Sequence, residues 1–236
     1  MRAIILAGGK GTRLAPLTEV IPKPLVPIDG KPILEIVIRQ LAHYGFRRIT
    51  LAVGYMSDLI KAYFQDGAKW GVAIDYSCEP SPLGTVGPLA LIEGLHETFL
   101  LMNADVLTNL DYQKLLQFHQ SQGGIATIGA YQKKVTIDLG VIIQDGEHRI
   151  KGYIEKPTET HLVSMGIYVF EPDVLRFING QDYLDFPDLV NILLAHGVLV
   201  NYYPFQVYWL DIGRHEDYQK AAQEYEQLFN LSSSSD

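Results

Sequence analysis

This sequence has a single cysteine, no excess of positive charge and no long apolar run, and each of these features excludes a class of protein. One cysteine, Cys78, stands among 236 residues, so neither an intrachain disulfide framework nor a cysteine-based metal site can form. The 19 Lys and Arg residues are outnumbered by 27 Asp and Glu residues, and this acidic balance disfavours a nucleic-acid partner. The first apolar run is too short for a signal-peptide core of ~7–15 residues, and no run approaches the ~18 residues of a transmembrane helix. We therefore expect a cytoplasmic protein without a membrane partner.

The residues that are abundant indicate an ordinary globular protein. Hydrophobic residues make up 47% of the chain and charged residues 19%, which is typical of folded domains. At ~100–200 residues per domain, this length corresponds to one large domain or two small ones. Because the net charge is −8, a polyanionic ligand must be bound by a few cations at defined positions.

In the first half of the chain, short stretches rich in β-branched residues alternate with longer amphipathic stretches. The predicted strands are 2–7, 48–53, 73–77 and 98–102. The predicted helices between them are 31–44, 57–66 with Ser57 as its N-cap, and 87–95. This alternation predicts a parallel sheet covered by helices on both faces.

In the second half, strand-like stretches follow one another, so we expect antiparallel additions to the sheet. They cover 125–131, 140–144, 149–154, 163–170 and the pair 199–204 and 206–210. Helices are predicted at 111–122, 186–196 and 214–229. The pattern predicts an α/β fold: one three-layer α/β/α Rossmann-like domain over 1–230, with a mixed, mainly parallel central sheet. A disordered tail is predicted at 231–236.

A glycine-rich loop begins at Gly8, directly after the first predicted strand, and the stretch LAGGKGTRL at residues 6–14 spans this junction. This is the end at which α/β sheets bind ligands. Glycines allow backbone N–H groups to approach a phosphate closely, and Lys10 and Arg13 add positive charge. A Walker A loop needs Ser or Thr after its lysine, where this loop has Gly11, and the dinucleotide fingerprint needs glycine where this loop has Leu14. Neither of these common patterns is therefore matched.

The loop continues with PLT at residues 16–18 and PKPLVP at residues 22–27. Together these stretches resemble the N-terminal signature of the sugar-1-phosphate nucleotidylyltransferases, and the resemblance extends over residues 1–228. In that family an oxygen of the sugar phosphate attacks the α-phosphorus of a nucleoside triphosphate, and pyrophosphate leaves. The resemblance implies that a nucleoside triphosphate and a sugar 1-phosphate are the partners. Longer members add a C-terminal left-handed β-helix, and we expect none here.

The resemblance implies a role for each part of the signature. Arg13 offers a bidentate fork to triphosphate oxygens, and Lys23, between Pro22 and Pro24, presents its ammonium group from a stiffened backbone. Phosphoryl-type transfer needs such positioning and charge neutralisation more than covalent chemistry. The nucleotide-binding residues expected in this stretch are Leu6, Gly8, Gly9, Gly11 and Thr12.

Two aspartates stand in patterns that hold a metal in the family. Asp105 lies in an Asn-x-Asp pattern after the predicted strand 98–102, and Asp211 lies in a Trp-x-Asp-x-Gly pattern. By itself each is more often a turn or cap residue. The resemblance implies that both bind Mg²⁺ as the cofactor, because this ion takes one or two carboxylates together with phosphate oxygens and water.

Four further positions are implied to contact the sugar phosphate. Glu155 and Lys156 belong to the family's Glu-Lys-Pro motif, in which the lysine neutralises the attacking phosphate as a catalytic residue. The glutamate accepts hydrogen bonds from sugar hydroxyls, which are donors. Gly140 falls where the family brings its backbone near the sugar. Ser164 falls where many members have Asn.

The segment from Glu79 to Gly87 aligns with the part of the family that reads the base. Thymidylyl and uridylyl members often carry Gln where this chain has Glu79, and an amide matches O4 and N3–H of a pyrimidine. A carboxylate only accepts, and guanine presents two adjacent donors, N1–H and the N2 amino group. A mispaired buried polar group costs ~1–3 kcal/mol, or roughly 5- to 140-fold in preference. We therefore expect GTP, unless Glu79 points to solvent and the backbone of Gly84 contacts the base.

Three interpretations follow. The first is a transferase that joins GTP to a mannose- or manno-heptose-type sugar 1-phosphate, because the segment from Glu79 resembles that of mannose-type guanylyltransferases. The second is a thymidylyl- or uridylyltransferase acting on glucose 1-phosphate. The third is a non-catalytic homologue that binds a nucleotide sugar and regulates a partner, but a sensor has no need of the metal carboxylates Asp105 and Asp211. A homo-oligomer remains open in all three.

Overall fold

The computed structural model describes residues 1–79, 81–180, 182–206 and 208–229. Its strands are β1 (Arg2–Ala7), β2 (Pro27–Ile28), β3 (Lys31–Pro32), β4 (Arg48–Val53), β5 (Ala73–Cys78), β6 (Phe99–Asn103), β7 (Val106–Thr108), β8 (Ala126–Thr136), β9 (Val141–Gln144), β10 (Ile150–Ile154), β11 (Thr158–Phe170), β12 (Val200–Phe205) and β13 (Trp209–Asp211). Its α-helices are α1 (Leu17–Val20), α2 (Ile33–His43), α3 (Ser57–Phe64), α4 (Tyr112–Gln122), α5 (Phe186–Ala195) and α6 (His215–Phe229). The tail predicted at 231–236 lies outside the described residues.

Seven strands form the central sheet in the order β12-β8-β11-β6-β1-β4-β5. Neighbouring strands are parallel except at β11, which runs antiparallel to both β6 and β8. The prediction of a mixed, mainly parallel sheet is therefore confirmed. Because β1, β4, β5 and β6 are parallel, their carboxyl ends meet at one edge of the sheet, where α/β folds bind ligands.

The two faces of the sheet bury separate clusters, because side chains alternate along each strand. Ala3 and Ile5 of β1 pack on one face with helices α2, α3 and α4. Ile4 faces the other side, where α5 covers the sheet. This arrangement confirms the three layers. In the described part of the chain, no helix is both long and apolar enough to cross a membrane.

A third buried cluster lies beneath the glycine-rich loop. Leu14 from the loop packs with Leu210 and Ile212 beside β13 and with Ala221 and Tyr225 of α6. The C-terminal helix therefore holds the loop against the strand that precedes it. This packing explains how the two ends of the chain come to build one site.

Three local predictions were wrong. The helix predicted at 87–95 is only a short 3-10 segment, Gly87–Leu91, and the backbone is not helical at Gly94, where φ is 72°. Ser57 was predicted as the cap of α3 but is its first residue, and Met56 is the cap, in a left-handed conformation. The helix ends at Phe64 rather than at residue 66. The two late strands do not pair, since β12 joins β8 while β13 joins β7.

Residues 133–162, here called the arm, extend from the far end of the β8–β11 pair. The arm contains the last residues of β8, the hairpin β9–β10 and the first residues of β11. The hairpin is a two-stranded sheet of its own. Most of the arm's side chains are exposed.

Candidate active site

A cleft of about 710 Å³ opens at the carboxyl ends of β1, β4, β5 and β6. Ten of the residues predicted from the sequence line it: Leu6, Gly8, Gly9, Gly11, Thr12, Arg13, Lys23, Glu79, Gly84 and Asp105. The strand ends are joined across its floor, where Ala104 N–H donates to the carbonyl of Leu6 at 3.1 Å. The edge of the sheet therefore gathers residues that lie far apart along the chain.

The loop geometry explains why glycine stands at position 11. Gly11 has a φ of 64°, and a Cβ placed there would lie 2.9 Å from Cβ of Lys23 and 3.0 Å from Cγ2 of Thr18. The Thr18 hydroxyl donates to the Gly11 carbonyl at 2.8 Å. Glycine therefore allows the lysine to pack directly on the loop, with its ammonium group inside the cleft.

Two carboxylates and a lysine meet at one end of the cleft. The ammonium group of Lys23 donates to Oδ2 of Asp105. Asp211 pairs in register with Val106, the residue after Asp105, and Ile212 N–H donates to the Asp105 carbonyl at 3.0 Å. Burial raises the pKa of the Asp211 carboxyl and the charge of Asp105 raises it further, while Lys23 acts in the opposite direction. Extra positive charge at this position would relieve the repulsion between the carboxylates.

The residues at this end fit a magnesium ion. Oδ1 of Asp105 is buried without a hydrogen-bond partner among the described residues, an arrangement that costs free energy unless a cation or donor is bound. Within the described ranges, no three His, Cys, Asp or Glu residues cluster as a metal cage. Mg²⁺ does not require such a cage, because it is held by one or two carboxylates and completes its shell with phosphate oxygens and water.

Arg13 connects the glycine-rich loop to the Asp211 segment. A Cβ placed on Gly213 would lie 3.3 Å from a terminal nitrogen of the Arg13 guanidinium. The positive charge of the guanidinium lowers the pKa of the Asp211 carboxyl, whereas burial raises it. Both Arg13 and Gly213 line the cleft, so a planar cation faces the space beside the carboxylates.

The side chain of Glu79 turns into the cleft. Its Oε2 accepts from Leu83 N–H at 3.0 Å. Its Oε1 would lie 2.7 Å from a Cβ on Gly8 and 2.9 Å from a Cβ on Gly54. Glycines at these two strand ends therefore make room for the carboxylate. This position favours the interpretation in which Glu79 faces a ligand over the one in which it points to solvent.

The loop after Glu79 is tied to the start of α5. Thr85 N–H donates to Oδ1 of Asp185 at 3.0 Å, and Phe186 N–H donates to the Thr85 hydroxyl at 2.7 Å. Asp185 occupies the cap position of α5 but bonds the loop, while Thr85 satisfies the helix N-terminus. Gly84, with a φ of 81°, lies so close to Leu184 that a Cβ would be 2.5 Å from its carbonyl oxygen. Position 84 therefore admits only glycine without rearrangement.

Four predicted sugar-site residues do not line the cleft. Lys156, Glu155 and Gly140 lie on or beside the arm's hairpin, where Nζ of Lys156 pairs with Oδ1 of Asp138 at 2.6 Å. Tyr153 packs over Gly140, leaving no room for a Cβ. The fourth, Ser164, donates its hydroxyl to Tyr168 at 3.2 Å. Asp211 is not among the residues that line the cleft, but its carboxyl interacts with Asp105, Lys23 and Arg13, which do line it.

Sequence reasoning missed several residues that the cleft contains. Gly54 and Tyr55 follow β4, and the rule that ligands bind beyond the carboxyl ends of parallel strands could have found them. Asn103 stands in the Asn-x-Asp pattern and was not assigned. Asp185 and Tyr183 also line the cleft, and no local pattern connects them to it.

Comparison with known proteins found a family model and relatives that match most of this chain. The family model described as Nucleotidyl transferase matches residues 2–228. The chain is 35% identical to the UTP–glucose-1-phosphate uridylyltransferase of Synechocystis sp., over 94% of this chain and 62% of the relative. It is 36% identical to the mannose-1-phosphate guanylyltransferase catalytic subunit beta of Danio rerio, over 92% of this chain and 62% of the relative. The chain therefore spans about 62% of the length of these two relatives.

Among solved structures, HddC of Yersinia pseudotuberculosis superposes with a TM-score of 0.74 at 28% identity, over 95% of this chain and 99% of that one. HddC complexed with GMP-PN superposes with a TM-score of 0.71 at 27% identity, with the same coverage. The likeness spans nearly the whole of both chains.

Proposed function

This chain belongs to the nucleotidyl transferase family, and on that basis we propose that it transfers a nucleotidyl group from a nucleoside triphosphate, GTP by preference, to a sugar 1-phosphate. The products are a nucleoside-diphosphate sugar and pyrophosphate. The sugar is of the mannose or manno-heptose type in this proposal. The reaction is cytoplasmic, where an exposed thiol such as that of Cys78 stays reduced.

The observation that carries the proposal is the group formed by Lys23, Asp105 and Asp211 beside a glycine-lined cleft. A cleft that only bound a neutral ligand would have no use for two carboxylates held together against their repulsion. A triphosphate with its metal ion needs both charges, since cations neutralise the phosphates and carboxylates hold the metal. The same observation weighs against the regulatory homologue.

Asp105 and Asp211 would hold Mg²⁺, which when bound neutralises charge on the triphosphate. Arg13 and Lys23 would neutralise the phosphate oxygens and orient the α-phosphate. Backbone N–H groups of the glycine-rich loop would face the phosphates. Lys156 and Glu155 would receive the sugar phosphate and its hydroxyls, and Gly140 and Ser164 would complete the sugar site.

Three similar proteins support two different bases. HddC has been solved with GMP-PN, and the Danio rerio relative is a guanylyltransferase, which agrees with the carboxylate of Glu79 in the cleft. The Synechocystis relative uses UTP and glucose 1-phosphate. A uridylyl- or thymidylyltransferase acting on glucose 1-phosphate is therefore the second candidate.

Pyrophosphate release with Mg²⁺ tests the proposal directly. GTP, UTP, dTTP, CTP and ATP would each be offered with mannose, glucose and manno-heptose 1-phosphates. A signal dominated by GTP is the expected result. A signal dominated by UTP or dTTP would keep the reaction and reject guanine. Nucleotide-sugar binding without turnover in any combination would favour the regulatory homologue.

Replacing Glu79 with glutamine is expected to move the preference away from GTP. The glutamine amide has one oxygen acceptor where the carboxylate has two, so it cannot accept from both guanine donors. It also carries an N–H group that can donate to O4 of a pyrimidine. The ratio of kcat/KM for GTP over UTP should fall by roughly 5- to 140-fold. The measurement is kcat/KM for each nucleotide at saturating sugar 1-phosphate.

The matched control for this change is Glu97→Gln, which alters an exposed glutamate that does not line the cleft. It should leave the ratio as in the wild type. An unchanged ratio in Glu79→Gln would mean that Glu79 does not read the base.

Replacing Asp185 with alanine is expected to raise KM for the nucleotide by about tenfold with little change in kcat. The substitution removes the acceptor of Thr85 N–H, so the loop that carries Gly84 loses one of its hydrogen bonds to the start of α5. One such hydrogen bond contributes ~1.4 kcal/mol, which corresponds to about tenfold. Initial-rate kinetics in each substrate separately is the measurement.

Asp185→Asn should restore the wild-type KM, because its amide oxygen accepts the same bond. Asp188→Ala removes an exposed acidic group from the same turn of α5 without touching the loop. This control should behave as wild type. Equal rises in KM for both substrates of Asp185→Ala would indicate general unfolding rather than loss of the tie.

A further inference from the structure

Two tyrosines line the cleft, and none of the roles assigned above uses either of them. Tyr55 follows β4, and Tyr183 lies two residues before the cap of α5. They are the only aromatic residues among the described residues that line the cleft. In the described part of the chain, neither ring contacts another aromatic ring. The packing of the protein core therefore does not account for these two rings.

The two tyrosines approach the cleft from opposite faces of the central sheet. Tyr55 leads into α3, which packs on the face of the sheet that carries Ile5. Tyr183 leads into α5, which packs on the face that carries Ile4. Glu79 follows β5 and therefore lies at the edge of the sheet, between these two faces. A planar group that reaches the carboxylate of Glu79 thus has one tyrosine on each side.

The backbone of Tyr55 is fixed beside this carboxylate. Tyr55 N–H donates to the carbonyl of Gly8 at 3.1 Å, and a Cβ on Gly8 or on Gly54 would lie within 2.9 Å of Oε1 of Glu79. The next residue, Met56, has a φ of 50°, a left-handed conformation that persists only where the surroundings define it. The Tyr55 hydroxyl has no hydrogen-bond partner among the described residues. Its ring is therefore positioned by the backbone and not by the hydroxyl.

Tyr183 is held from the other side by the loop that carries Gly84. Its hydroxyl donates to Oδ2 of Asp185 at 2.7 Å, and Oδ1 of Asp185 accepts from Thr85 N–H. The ring itself remains 62% exposed. Covering an aromatic ring with a flat ligand removes a large apolar area from water. A ring that is tied at its hydroxyl and exposed at the cleft is suited to pack against such a ligand.

We propose that Tyr55 and Tyr183 hold the nucleobase between them, one ring on each of its faces, while Glu79 bonds its edge. This inference rests on the proposed function only in taking a nucleotide as the ligand. Every base has a π-face, so an aromatic ring stacks on all bases without selecting one. Hydrogen bonds at the edge distinguish the bases. The tyrosines therefore supply affinity for any nucleotide, and Glu79 supplies the preference among them.

Calorimetric titration of the full chain tests this inference. The ligands are GTP, UTP and inorganic pyrophosphate, each with Mg²⁺ and without a sugar 1-phosphate. Tyr55→Ala and Tyr183→Ala are each expected to raise the Kd of GTP and of UTP by roughly 5- to 140-fold, the effect of losing one stack between a base and an aromatic ring. The Kd of pyrophosphate, which has no base, should remain that of the wild type.

Three further variants separate the rings from folding and from the hydroxyl groups. Tyr55→Phe and Tyr183→Phe keep the rings, so they should lose far less affinity for GTP than the alanine variants. Tyr202→Ala is the matched control, because Tyr202 on β12 is 56% exposed and does not line the cleft. It should bind all three ligands as the wild type does. If Tyr55→Ala does not fold, Tyr55→Leu takes its place, since leucine keeps apolar bulk without an aromatic face.

An unchanged Kd for both nucleotides in either alanine variant would overturn the inference. An equal loss of affinity for pyrophosphate would also overturn it, because the damage would then extend to the whole cleft. The titration needs no turnover. A wild type that binds nucleotides through both rings but releases no pyrophosphate with any sugar 1-phosphate would therefore contradict the proposed function and still support the role of the two tyrosines.

Discussion

Asp105→Asn is expected to lower Mg²⁺-dependent pyrophosphate release by roughly 10³-fold, the scale of losing one group that stabilises charge in a transition state. The amide keeps the shape of the side chain and an oxygen for the Lys23 ammonium, but it removes the charge that would hold the metal beside Asp211. Oδ1 of Asp105 is the buried atom without a described partner. The measurement is the rate as Mg²⁺ is titrated at fixed substrate concentrations.

The protein should remain folded in this variant, because the substitution leaves no cavity and reduces the repulsion with Asp211. Thermal unfolding followed by circular dichroism verifies this point. Asp173→Asn, at an exposed aspartate paired with Arg176 far from the cleft, serves as the control and should keep full activity. Wild-type rates with an unchanged Mg²⁺ dependence in Asp105→Asn would contradict the metal assignment.

Arg13→Gln is expected to lower kcat/KM by about 10³-fold. This is near the lower end of what an arginine that stabilises the transition state contributes in phosphoryl transfer. The guanidinium lies over Gly213 and faces the carboxylate end of the cleft. Glutamine retains polarity and loses both the charge and the fork that binds two phosphate oxygens. Steady-state rates with GTP and the preferred sugar 1-phosphate provide the test.

Arg13→Lys distinguishes charge from geometry. Lysine keeps the charge but not the planar fork, so its rate should lie between those of the wild type and Arg13→Gln. Arg176→Gln removes an exposed arginine outside the cleft and should have no effect. A rate for Arg13→Gln within twofold of the wild type would exclude the assigned role.

Local patterns in the sequence were sufficient for most of the fold. The strands β1 and β4 begin and end at the predicted residues, because the alternation of apolar side chains is set within each strand. The 3-10 turn at Gly87–Leu91 was predicted as a longer helix from its local pattern, whereas its place in the fold depends on hydrogen bonds to Leu184, almost a hundred residues away. The pairing of β13 with β7 depends on an equally distant contact.

The sequence by itself determined the glycine-rich loop, its lysine and arginine, and the aspartate after β6, because these residues act within a few positions of a strand end. Only the tertiary structure decided which strand pairing brings Asp211 beside Asp105, that Asp185 bonds the loop after Glu79 and that the arm lies apart from the cleft. Each of these depends on backbone pairing or packing between distant segments. Such contacts form only when the whole sheet and its three buried clusters fold together. The periodicity of apolar residues along the chain therefore does not predict them.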